Sequence, residues 1–152
     1  MADTKRQQII TAVDTRLKTI KTTAGYQTNA GNAVYDWLHR QMSATSLLAI
    51  VYRDSEESIE AETVGTIGYH RRELNMELEI MVANGSTTME TMRKVLADIE
   101  TAIGTDTRWS GLAIRTNPGR SRIEVDQESK IVSGGLLTFS IVYQTRAWNA
   151  YT

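Results

Sequence analysis

RRELNMELEIMVA, residues 71–83, decides the fold. Leu74, Met76, Leu78, Ile80 and Val82 are apolar, while Glu73, Asn75, Glu77 and Glu79 between them are polar. Strict alternation predicts a strand with one buried face. At ~3.3 Å per residue this strand reaches roughly 35 Å, about twice the usual length. A turn at Asn84-Gly85 follows, and then STTMETMRKVLADIETAIG. There Met89, Met92, Leu96, Ile99 and Ile103 recur at helical spacing and form one apolar stripe. Thr87 with Glu90 predicts a capping box, Gly104 a C-terminal stop, and Glu90 with Lys94 a pair on the solvent face.

Upstream, Asp3 or Thr4 can cap a first helix carrying Ile9, Ile10, Val13, Leu17 and Ile20 inward, with Asp14 reaching Lys18. Lys5, Arg6, Arg16, Lys18 and Lys21 make its other faces locally basic, which reads as a solvated face or a surface for an acidic partner or DNA. Residues 25–46 carry a weak signal: GYQTNAGNA reads as loop, and Val34, Trp37 and Leu38 fit a helical turn or an irregular strand. SLLAIVYRD, residues 46–54, reads as a buried strand.

Asp54, Glu56, Glu57, Glu60 and Glu62 then crowd a segment with one large apolar residue before Val64. So little apolar surface predicts a mobile acidic loop over 54–64, at the end of a long hairpin. Beyond it Ile67 and Tyr69 are apolar at odd positions, whereas the long strand is apolar at even ones. This predicts a switch of the buried face through His70, Arg71 and Arg72, by a bulge or by a strand leaving the domain to meet a neighbour. After the second helix, Trp109–Thr116 and Arg120–Gln127 flank a turn at Asn117-Pro118-Gly119. Leu137, Phe139, Ile141 and Tyr143 mark a last half-buried strand, and Trp148 and Tyr151 close the chain as a local clamp or an interface anchor.

The chain has 152 residues, a net charge of −1 and no cysteine. That length fits one domain spanning 1–152 with a real core. The charge balance does not mark a general nucleic-acid or membrane-surface binder. Without cysteine, disulfides, thiolate catalysis and cysteine metal sites are excluded together. The polar N-terminus and the lack of a long apolar run predict a protein without a signal sequence or membrane span. No phosphate loop, paired-histidine helix or nucleophile elbow occurs. His39 and His70 have no local ligand partners, and Glu77 with Glu79 on one strand face has no sugar-binding aromatic platform around it. The residues thus predict no enzyme, no metal and no cofactor. The fold expected is α/β (α+β): a mixed, largely antiparallel sheet, two principal helices on one face and a long β-hairpin extension.

The order of elements resembles the tail-terminator (tail-completion) proteins of long-tailed bacteriophages, of the minor tail protein U kind. Three places carry the likeness: Tyr26, Thr28 and Gly31 ahead of the strand at Leu48–Tyr52; the long strand running into the Met92–Ile103 helix; and Phe139, Ile141, Tyr143 and Thr145 with Trp148 beyond. Many relatives carry a proline before the first core strand, and residues 44–47 here have none. The resemblance implies a homo-oligomeric ring, usually of six, assembled in the host cytoplasm and seated in the virion at the head-proximal end of the tail. Its implied partners are other copies of itself, the tail tube protein and the head-completion or connector protein, with DNA passing through unbound. The residues expected at such interfaces are Glu56, Glu57, Glu60, Tyr69, Arg71, Arg72, Trp148 and Tyr151. Another head–tail joining or neck protein, or a non-catalytic ligand- or nucleic-acid-binding module, are the alternatives.

Overall fold

The computed structural model describes residues 2–37, 48–83, 87–126 and 132–152, with the backbone alone at 125, 126, 132 and 133. The expected turn at Asn84-Gly85, together with Leu38, His39 and the segment 44–47, lies outside these residues.

The first helix, α1, covers Lys5–Leu17, and Thr4 is its cap, its side chain accepting from the Gln7 amide. Two 3₁₀ turns at Thr22–Ala24 and Ala30–Asn32 lead to a short strand, β1 (Val34–Asp36). Gly31 makes the first close approach. A Cβ there would lie 2.7–2.8 Å from the carbonyl oxygens of Leu17, Lys18 and Ile20, so only glycine fits under the end of α1. Strands β2 (Leu48–Val64) and β3 (Ile67–Ala83) have 17 residues each and form a hairpin closed at Gly65-Thr66, with Gly65 at φ +64°. Helix α2 (Thr88–Gly104) follows, then β4 (Arg115–Asp126) and β5 (Val132–Arg146).

The five strands lie in the order β1-β2-β3-β5-β4. Among the described residues only the β1–β2 pairing is parallel. Both helices enter the same buried cluster as the even-numbered residues of β3. The core on that inner face joins Ile9, Val13 and Leu17 of α1 with Met92, Val95 and Ile99 of α2 and with Ile50, Leu78, Ile80 and Ile141 of the sheet. Each such side chain contributes ~1.5–3 kcal/mol by leaving water. The expected α+β class and long hairpin are therefore the observed ones. The expected intrahelical pairs also form, Lys18–Asp14 at 2.7 Å and Lys94–Glu90 at 2.6 Å.

Four local expectations are corrected. Residues 54–64 are not a loop: they form the distal half of β2, paired with β3 from Glu56↔Asn75 to Val64↔Ile67. Composition alone could not order this segment, but an antiparallel ladder and cross-strand ion pairs do. The buried face of β3 does not switch. Its register with β5 is unbroken from Tyr69 to Ala83, and the irregularity sits across the hairpin, between Arg53 and Glu56 of β2. His70 is buried and Arg72 sits beside it on the inner face, so polar residues there continue the even-numbered inward set. Third, Asn117-Pro118-Gly119 does not separate two strands. β4 runs through it with a bulge between Pro118 and Ser121, and the Arg120 amide donates to Thr138 Oγ1 at 3.1 Å. Proline is accommodated because β4 is an edge strand and a bulge needs no complete ladder. Lastly, Thr87 is the N-cap of α2, but its side chain makes no capping hydrogen bond, so the capping box is not formed.

Candidate interaction surface

Beyond the core, β2, β3 and β5 continue as a three-stranded arm. β5 accompanies β3 as far as Arg146↔Tyr69, so only the hairpin tip projects further. The two faces of this arm differ because paired residues in an antiparallel ladder share a face.

The inner face holds a buried polar cluster. Arg72 Nη1 meets Glu57 Oε1 at 2.8 Å, with their side chains 13% and 7% exposed. The Tyr143 hydroxyl donates to the other Glu57 oxygen at 2.5 Å, and Arg72 Nε donates to Thr145 Oγ1 at 3.1 Å. Burial first, and then the Glu57 carboxylate, push the Tyr143 hydroxyl well above its ordinary pKa. Of the residues expected at an interface, Glu57 and Arg72 are thus turned inward and hold the arm's strands to one another.

At the root of the arm Asp54 accepts from Arg6 Nε and from the Trp37 indole N–H, both at 2.9 Å. Burial would raise its carboxyl pKa, but the hydrogen bonds from Trp37 and Arg6 outweigh burial and leave it below the ordinary value. Trp37 itself takes φ +44°, a left-handed conformation that turns the chain out of β1. Arg53 bonds Glu79 at 2.7 Å, so that glutamate is held in an ion pair on the outer face.

The outer face carries Glu60, Glu62, Val64, Ile67, Tyr69 and Arg71, opposite one another in register. Arg71 pairs with Glu62 at 2.9 Å, and Gln144 donates to the same carboxylate at 3.0 Å. Glu56 and Glu60 are exposed and join none of the ion pairs found among the described residues. Val64 and Ile67 are 64% and 50% exposed. The chain end folds back over the arm. Trp148, at φ +59° and 92% exposed, meets the His70 ring edge-on with centroids 4.9 Å apart. The Lys5 amide donates to Ala150 O, which ties this tail to α1, and Tyr151 is half exposed.

Two features had no sequence signal. Asp98, buried on α2, accepts from the amides of Gln27 and Thr28 and from Thr28 Oγ1 at 2.7–3.1 Å, anchoring the loop ahead of β1. A groove of about 480 Å³ lies between α2 and the β4–β5 edge. Its apolar wall includes Leu96, Ile103, Pro118 and Leu137, and Arg93 and Arg120 stand on it. Neither could be read locally, since their partners are distant in sequence. Among the described residues no acidic or histidine cluster could hold a metal, and no helix is long and apolar enough to cross a membrane.

No protein-family model matches the chain, and no curated protein matches it. Among solved structures, a chain of the "Virion of native gene transfer agent (GTA) particle" is similar, with a TM-score of 0.53 at 15% sequence identity. The match covers 88% of this chain and 92% of that one, and at this identity what the two share is the fold.

Proposed function

We propose that this chain is a structural protein of a phage-like particle, which forms a ring at the head-proximal end of the tail tube, stops tube growth and offers the surface for joining to the head. The observation that carries the reading is the likeness of fold over nearly the whole of both chains to a protein of a gene transfer agent virion. The architecture supports it. A projecting arm with exposed apolar residues at its tip suits contacts between neighbours, and a net charge of −1 suits a ring through which DNA slides without being held.

Native mass over a concentration series, with negative-stain imaging, tests the ring; tail tube protein polymerised with and without the chain tests the terminator role. Discrete rings and tubes that stop growing at one end are expected. Tubes that keep their length while the chain binds a head connector would overturn the terminator role in favour of a neck protein. A chain that forms no ring and binds neither partner would overturn the reading altogether.

A further inference from the structure

We infer that the cavity beside the last residues of β5, where Lys5, Arg108 and Arg146 meet, binds a phosphate group of DNA. That the ligand is a phosphate rests on the cavity alone. That the phosphate belongs to DNA rests on the reading of the chain as a protein of a phage-like particle.

The cavity measures about 280 Å³ and lies where β5 runs on past Arg115↔Val142, its last pairing with β4. Lys5 comes to it from the start of α1, Arg108 from the α2–β4 connection and Arg146 from the end of β5, with Tyr69 of β3 beside them. None of the three cations belongs to an ion pair among the described residues, and no aspartate or glutamate lines the cavity. The carboxylates on neighbouring positions are engaged elsewhere. Glu62, opposite Tyr69, holds Arg71 and Gln144, and Asp106 holds Arg16 at 3.7 Å and the amides of Arg108 and Ser110. Thr152 brings a main-chain oxygen to the Arg146 amide at 2.6 Å; a terminal carboxylate there would offset one of the three charges and leave two.

Like charges in one cleft repel one another and focus a positive potential, so the arrangement gains by taking an anion. Two guanidinium forks and an ammonium suit phosphate, which arginine bonds bidentately and lysine meets as a point charge. The walls are fixed before any ligand arrives. Trp109, Ser110 and Gly111 take φ of +53°, +57° and +85°, a left-handed run that is costly for the two residues other than glycine. Trp109 anchors the run: its ring is buried, the Arg16 guanidinium carbon lies 3.9 Å from its centroid, and its indole N–H donates to Thr116 Oγ1 at 2.8 Å. Lys5 Nζ donates to the Gln144 carbonyl at 2.9 Å, which holds the ammonium at the cavity. A phosphate contact of this kind is independent of sequence and screened by salt, so DNA held through it still slides.

The test titrates the full-length chain with a short labelled duplex by fluorescence anisotropy over a salt series, and with inorganic phosphate by calorimetry. Arg108→Ala with Arg146→Ala removes two of the cations; both side chains are exposed and the main-chain hydrogen bonds at both positions remain, so the fold is kept. Arg93→Ala with Arg120→Ala removes the same charge at the other groove and is the control. The Arg108/Arg146 variant should bind the duplex about tenfold more weakly, with a salt slope shallower by about 2, while the control stays within about twofold of wild type. Phosphate binding lost in the Arg108/Arg146 variant, with duplex affinity equal to wild type, would overturn DNA as the source. Equal weakening by the two variants, or a wild-type chain that takes neither duplex nor phosphate, would overturn the site. Ring formation is read separately by native mass, so failure of the site and failure of the ring are told apart.

Discussion

Replacing Arg72 by Met removes the cation from the arm's buried polar cluster and keeps most of the side chain's apolar volume. Glu57 would then be left 7% exposed, without its counter-charge, holding only the Tyr143 hydroxyl at 2.5 Å. Breaking a buried ion pair from one side costs ~3–5 kcal/mol. The surviving hydrogen bond from Tyr143 puts the expectation at the lower end, about 3 kcal/mol. For a chain of this length that corresponds to a fall in Tm of about 6–12 °C. Urea unfolding followed by circular dichroism measures it directly, as a shift in midpoint at unchanged slope. Arg71→Met is the control. Its pair with Glu62 is about one-third exposed on both sides, so the loss should stay below ~1 kcal/mol. Adding Glu57→Gln to Arg72→Met should recover ~1 kcal/mol or more, because the uncompensated charge is gone. A loss from Arg72→Met within ~0.5 kcal/mol of wild type would refute the assignment of Arg72 as an internal strut, and an equal loss from Arg71→Met would refute the two-faced arm.

Three further outcomes follow from the packing. Gly31→Ala should cost ~2–3 kcal/mol, since its Cβ would meet three backbone carbonyls that cannot swing aside; thermal unfolding within 1–2 °C of wild type would exclude that close approach. Asp98→Ala strands two amides and a hydroxyl, and should cost ~2–3 kcal/mol and raise hydrogen exchange at Gln27 and Thr28; unchanged exchange there would refute the anchor. Asp54 has a folded pKa below its ordinary 3.8, so its contribution is present above that value and disappears as pH falls through the lowered pKa. Asp54→Asn should accordingly cost ~1 kcal/mol at pH 6, after screening of this partly exposed group, and the difference should shrink in acid below pH 3.8; a gap that persists there would refute the charge-based account.

What the sequence determined by itself was periodic. The alternation from Leu74 to Val82 and the stripe of Met89, Met92, Leu96, Ile99 and Ile103 dictated a half-buried strand and an amphipathic helix. The strand residues, Met92 and Ile99 are buried, whereas Met89, Leu96 and Ile103 are only partly so, because the inward face of α2 runs through Met92, Val95, Ile99 and Ala102. Thr4 as a cap and the Glu90–Lys94 pair were legible for the same reason: their partners lie within one turn of helix. The tertiary structure decided everything that depended on a distant strand. Residues 54–64 have no pattern that rewards burial, and only pairing with β3 makes them a strand. Arg71 and Arg72 are adjacent and chemically alike, yet the pleat turns one to the outer face and the other onto Glu57 and Tyr143. The same holds for the groove, whose walls come from α2, β4 and β5. Periodicity is a local property of the chain, whereas register, the partner of a buried charge and the shape of a cleft belong to contacts between residues far apart in sequence.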